Sequence, residues 1–367
     1  LFADTLEQQD TRQLSGRAGL EYALDGVDFF ASLALTETDR DLIDESFGSD
    51  PYYSTHGTST RAEFRGRFAL DDNFAIHAGG NWVRNKFNDG FTYSDAEIGS
   101  AHSMLSLSAD KVQLAVGLRY DHHDAFGGAW IAGANGSMEL AYGFRLRASY
   151  GEGFKAPSLF QLRSDIGNPA LDRERSRGID LGLDYTAEHS GHSASVTLFR
   201  RNSRNLIDFV SCFGVTDTIC TDRPFGTYDN VGRARSQGVE LEGRLRFGEG
   251  FESGLVYAFI DSTNRATGNE LARRPRHALT LYSDWEVTPD GLSLGADLRI
   301  VSRSFDDAAN LARLGGYASV DIRAELPLQD KLTLYGRIEN LLDEQYQTAA
   351  GYASQGRAAF VGLRAQL

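Results

Sequence analysis

No run of about 18 consecutive apolar residues occurs in the chain, so no membrane-crossing helix is predicted. No secretory leader is read among these residues, which says nothing of location where the N-terminal part of a protein lies upstream. Basic residues are in deficit: 37 Lys and Arg stand against 51 Asp and Glu, a net charge of −14. A protein that grips phosphates needs a basic face, so a nucleic-acid partner is not expected. No Ser-His-Asp set, nucleophile elbow or phosphate loop appears at workable spacing, and no enzyme is expected. Proline (7) and methionine (2) are scarce, and there are two cysteines, Cys212 and Cys220. In an oxidising compartment their closeness favours a small disulfide loop, and in the cytosol they would be plain thiols. With no nearby His pair they make a poor zinc site.

What the chain does have is glycine, Phe and Tyr, which suit pleated strands. Apolar and polar residues alternate along nearly its whole length. "VQLAVGLRY" places Val112, Leu114, Val116, Leu118 and Tyr120 on one face. "AEFRGRFAL" sets Phe64 and Phe68 against Glu63, Arg65 and Arg67, and "YASVDIRAEL" sets Val320 and Ile322 against Asp321 and Arg323. "GVELEGRLRF" divides Leu241 and Leu245 from Glu242 and Arg244. Period 2 is the mark of strands with two unlike faces. Roughly 17 such segments occur, most about ten residues or longer.

Tight turns at Asp25-Gly26, Asp110-Lys111, Gly248-Glu249-Gly250 and Pro289-Asp290-Gly291 alternate with longer polar connections. The longer ones cover 39–58, 88–96, 122–128, 157–176, 212–226, 261–274, 306–315 and 347–354. One trimmed rim, one decorated rim and long two-faced strands predict an all-β fold, an antiparallel transmembrane β-barrel of the outer-membrane type. A closed barrel pairs every backbone group and has no edge, which hydrocarbon demands. A soluble propeller or large sandwich also alternates, but its strands are shorter. Bacterial barrels have even strand numbers. An odd count, with residues 1–10 in or beside an extracellular loop and a strand starting near Thr11, predicts that 1–367 is the C-terminal part of a larger barrel.

Several stretches resemble the barrel of TonB-dependent outer-membrane receptors. They are "SYGEGFKAPSLFQL" (149–162), "GNPALDRERSRGIDLGLDY" (167–185), "NVGRARSQGVELEG" (230–243) and "GRIENLLDEQYQTAAGYASQGR" (336–357). "DTRQL" (10–14), "NLIDF" (205–209), "LARRPRH" (271–277) and Gly-Tyr-x-x-x-Gly-Arg at 351–357 look closest to the cobalamin (vitamin B12) receptor branch. The resemblance implies a barrel of about 22 strands around an N-terminal plug. It also implies a monomer in the Gram-negative outer membrane, powered through the plug by the TonB–ExbB–ExbD complex. The plug and the first strands, about five by that count, would lie upstream of Leu1. The cargo implied is cobalamin. The alternatives are a siderophore or haem receptor and, outside the class, a passive porin.

Residue by residue, Asp10 matches an aspartate that ligates calcium in the cobalamin branch, although calcium needs several oxygen ligands. Arg273 matches an arginine that reaches toward the ligand, and its planar fork suits amide oxygens and phosphate. Cys212 and Cys220 are expected to close a disulfide in an extracellular loop. The acidic and aromatic stretch 39–54 is expected to be a solvated loop, and His122-His123 to point to opposite faces. In the final strand, Ala359, Val361 and Leu363 are expected to face lipid, and Arg364 the lumen. Leu367 stands where the family usually ends in Phe, at its assembly signal.

Overall fold

The computed structural model describes residues 7–46, 48–210, 212, 218–223, 225–248, 250–288 and 291–366. Leu367 and the segment 213–217 between the cysteines therefore lie outside the described residues. The described chain is mostly β-strand, with a few helical turns, and none of its helices is long and apolar enough to cross a membrane. It divides into two compact units.

The first unit holds β1 (Glu7–Leu24), β2 (Val27–Asp44), β3 (Tyr53–Ala69), β4 (Phe74–Asn88), β5 (Tyr93–Ala109) and β6 (Val112–His123). Each pairs antiparallel with the next. Five strands contribute residues to both units: β7 (Gly127–Glu139), β8 (Phe144–Lys155), β9 (Glu174–Thr186), β10 (Ser193–Val210) and β11 (Thr227–Phe247). The second unit holds β12 (Phe251–Asn264), β13 (His277–Glu286), β14 (Ser293–Val301), β17 (Tyr317–Gln329), β18 (Leu332–Glu339) and β19 (Ala358–Ala365). It also holds a two-residue pair, β15 (Ser304–Phe305) with β16 (Arg313–Leu314). Setting that pair aside leaves seventeen main strands among the described residues, in line with the alternation.

Register brings the apolar positions of neighbouring strands into rows. In the first unit Leu24, Val27, Phe68, Ile76, Leu105 and Val116 align across β1 to β6. In the second, Leu255, Leu281, Leu298 and Val320 align across β12, β13, β14 and β17. Much of this surface stays exposed: Val116 by 63 % and Leu24 by 52 % in the first row, and Val361 by 79 % in the final strand. So large an apolar face cannot rest in water and calls for a lipid surround. The opposite face carries the charges. Arg323 pairs with Asp297 and Asp284, Arg364 with Glu325, and Arg337 with Glu339. The final strand follows its alternation, for Arg364 and Phe360 stand with Tyr335 and Arg337 while Val361 and Leu363 stand opposite.

Two expectations need correction. The connection placed at 39–58 shrinks to 45–52, because β2 continues through Asp44 and β3 begins at Tyr53. Asp10 lies inside β1, not in a loop. The cause is common to both. β1 and β2 stay paired for eighteen residues, from Leu24↔Val27 to Glu7↔Asp44. That is about 60 Å of strand, longer than an apolar band of about 25 Å needs even at barrel tilt. Beyond Leu33 and Leu35 the same face of β2 carries Glu37, Asp39 and Asp41. Polarity there marks the end of the apolar band, whereas the strand runs on.

Asparagines knit the long connections. Asn340 is buried, at a positive φ of 49°. Its Nδ2 donates to the carbonyls of Glu344 and Gln355, both at 3.0 Å, and its Oδ1 accepts from Glu344 N at 2.9 Å. Asn168, also buried, donates to Tyr228 O at 2.8 Å and accepts from Ala170 N at 3.0 Å. Asn230 accepts from Asp172 N and donates to the carbonyls of Asp172 and Asn205. A side-chain amide can serve both backbone donors and acceptors, as an irregular segment requires. α1 (Leu159–Arg163) starts with a capping box between Ser158 and Gln161.

Asn340→Ala leaves two carbonyls and one N–H without this partner. It should lower unfolding stability in vesicles by about 1–3 kcal/mol, read by urea titration. Asn340→Gly, which keeps the positive φ accessible, should recover little of the loss. Full recovery by glycine would show that backbone strain, and not the clamp, sets the effect.

Candidate functional site

Two polar neighbourhoods, one in each unit, contain the residues singled out by sequence. In the second unit, the connection between β12 and β13 is stitched to the one that carries β15 and β16. Asn310, at a φ of 61°, accepts from Glu270 N at 2.8 Å and donates to Glu270 O at 2.9 Å. Asn269 donates to Ala308 O at 3.0 Å. Asp307 accepts from the backbone N–H groups of Ala309, Leu311 and Ala312 and so caps the tight bend.

Arg273 sits on this stitched platform with a positive φ of 56°, and its N donates to Phe305 O at 2.6 Å. Its Nε donates to Asp306 Oδ1 at 2.7 Å. The Arg273 guanidinium beside Asp306 holds that carboxyl below the ordinary range, helped by a backbone hydrogen bond from Ala350. One edge of the guanidinium fork is therefore occupied by an acid. Nearby strand ends contribute Tyr317, whose ring stacks on Tyr346 at 3.8 Å between centroids. Sequence reading missed this stack, since the partners are 29 residues apart (346 − 317) and nothing in the stretch 336–357 that holds Tyr346 points to Tyr317.

In the first unit, Asp10 lies directly across the ladder from Asp41, and Arg12 across from Asp39. Like charges face to face in a ladder repel. Asp39 pairs on its other side with His56, whose Nδ1 lies 2.7 Å from Asp39 Oδ1. Ligand atoms of Glu37, Asp39 and His56 all lie within 4.8 Å of one another. Asp41 accepts from Ser54 Oγ at 2.5 Å. A cavity of about 640 Å³ opens here, with Asp10, Asp39, Asp41, His56 and Asp89 among its lining residues. Asp10 thus lines one cavity with three other carboxylates, of which Asp39 and Asp41 fall in the stretch that sequence reading took as a solvated loop.

Cys212 and Cys220 are joined as a disulfide. His123 is buried while His122 is exposed, as neighbours on one strand must be when its faces differ.

A model of the family described as TonB dependent receptor-like, beta-barrel, matches residues 2–341. Among solved structures, the chain is similar to a mutant of the ferric enterobactin receptor PfeA of Pseudomonas aeruginosa. There the TM-score is 0.83 and the identity 22 %, over 97 % of this chain and 62 % of that one. It is similar to the siderophore receptor PirA of Acinetobacter baumannii, with TM-score 0.80 and 17 % identity, over 97 % and 62 %. It is also similar to the copper transporter OprC, with TM-score 0.78 and 15 % identity, over 97 % and 64 %. At these identities the likeness carries the fold alone. The chain spans less than two thirds of the length of each.

Because its folded pKa is depressed, Asp306 adds stability above the ordinary aspartate value of about 3.9 and loses it as pH falls through the folded value. The contact with Arg273 should therefore persist from neutral pH to below about pH 4. In Arg273→Ala the Asp306 midpoint should rise toward the ordinary value, followed by carbon NMR of labelled aspartate. An unmoved midpoint would remove Arg273 as its cause.

Proposed function

Since the chain belongs to the TonB-dependent receptor β-barrel family of the outer membrane, we propose that it forms wall and extracellular loops of a receptor importing a large, scarce nutrient chelate. The observation that carries this is the stitched platform of the second unit, which presents Arg273 among ordered polar backbone. In this family the charged strand faces line the lumen, and the polar faces described above suit that place. Energy would come from the inner-membrane TonB–ExbB–ExbD complex acting on the plug of the whole receptor.

For the cargo we propose cobalamin. The reading rests on "DTRQL" and "LARRPRH" and on where the fold puts Asp10 and Arg273. Cobalamin offers amide oxygens and a phosphate to a guanidinium fork. Calcium would relieve the repulsion between Asp10 and Asp41, with Asp39 close by in the same cavity. A ferric siderophore is the second reading, favoured by the cargo named for two of the similar structures.

The test is binding of radiolabelled cyanocobalamin and of ferric enterobactin to the full-length receptor in detergent, with calcium or with chelator. Calcium-dependent cobalamin binding is expected. Arg273→Ala should weaken it by about 1.5–3 kcal/mol, and Asp10→Asn should abolish the calcium dependence. Binding of ferric enterobactin with none of cobalamin would replace the cargo by the siderophore.

A further inference from the structure

Met104 is out of place. It is one of two methionines in the chain, and it stands on the polar face of β5 with Ser100, His102, Ser106 and Ser108. An apolar side chain would ordinarily fall on the other face, with Leu105 and Leu107. Two of the eight histidines flank it. His77 of β4 is its direct ladder partner, and His102 lies two residues away on the same face of the same strand. Directly paired side chains start about 4.5–5.5 Å apart, and diagonal ones remain within reach of long side chains. A thioether and two imidazoles therefore share one strand face and line one cavity of about 790 Å³.

Ser106 Oγ lies 3.2 Å from Ala75 O and 3.0 Å from His77 Nε2. In the tautomer that donates from Nε2 to Ser106, His77 keeps its lone pair on Nδ1, as a metal-binding histidine does when its other nitrogen is hydrogen-bonded. His102 Nδ1 is shielded from solvent and has no hydrogen-bond partner among the described residues. Its ring lies on Gly79, where an added Cβ would come within 3.0 Å of His102 Cε1. The cation facing His102 across the ladder, Arg119, is held elsewhere by Asp121 and Ser100.

We propose that His77, Met104 and His102 form a site for Cu(I). Thioether and imidazole together select this soft ion over hard cations. Arg65 and Arg67 line the same cavity but are matched there by Glu21 and Asp28, Arg67 being paired with Asp28, so the soft donor set and not the local charge selects the ion. The site is separate from Arg273 and Asp10 and does not depend on which chelate the receptor imports.

The test is competition for Cu(I) between the full-length receptor in detergent and a chromophoric Cu(I) chelator. Met104→Leu keeps the volume of the side chain, and its heat-modifiable mobility on gels checks that it folds. Wild type should hold Cu(I) with a sulfur scatterer seen by X-ray absorption. Met104→Leu should lose that scatterer and bind at least roughly tenfold more weakly, and His77→Gln should weaken binding to a similar degree. Absence of Cu(I) binding in wild type, or undiminished affinity in Met104→Leu, would overturn the proposal. So would Zn(II) binding with no preference for Cu(I).

Discussion

Hydrocarbon offers a backbone no hydrogen-bond partner, so each N–H and C=O in it must be satisfied by another strand. Nearly everything else follows from that pairing. Antiparallel ladders put side chains on alternate faces, and each face then meets one environment along its length. The row from Leu24 to Val116 and the row from Leu255 to Val320 exist because register aligns what alternation separates. The ion pairs on the other face, such as those of Arg323 and Arg364, are half-exposed. Pairs of that kind add little stability individually, and their place is set by the ladder that carries them.

Where strands end, the ladder no longer supplies partners and side chains take over. Asn168, Asn230, Asn310 and Asn340 each serve a backbone donor and one or more backbone acceptors. Three of them lie in stretches that carry the family resemblance, "GNPALDRERS", "NVGRARSQG" and "IENLLDEQ". In this chain those three hold their own connections in shape, whereas the connection that presents Arg273 is clamped by Asn310, which lies in none of the quoted stretches.

The polar face tells a similar story. The alternation that puts Leu105 on the apolar side puts Met104 on the polar one. A reading by hydropathy alone counts Met104 as a flaw in the pattern. Register turns the flaw into a neighbourhood, because it sets His77 beside the thioether and places Gly79 under His102. The same holds for Asp10, which looked solitary until pairing set it against Asp41.

Alternation, turn residues and loop-length rhythm were enough to determine the fold class, the strand number and which face of each strand is apolar, since these depend on local period. They misjudged where β2 and β3 end, because a strand that leaves the apolar band turns polar without ceasing to be a strand. Cys212 and Cys220 were legible as a pair from their closeness along the chain. The stack of Tyr317 on Tyr346, the clamp of Asn310 on Glu270, the seat of Arg273 against Asp306 and the meeting of His77 with Met104 were not legible. Each joins residues far apart in sequence. Only the register of the ladders and the path of the loops decide which distant residues stand within a few ångströms of one another.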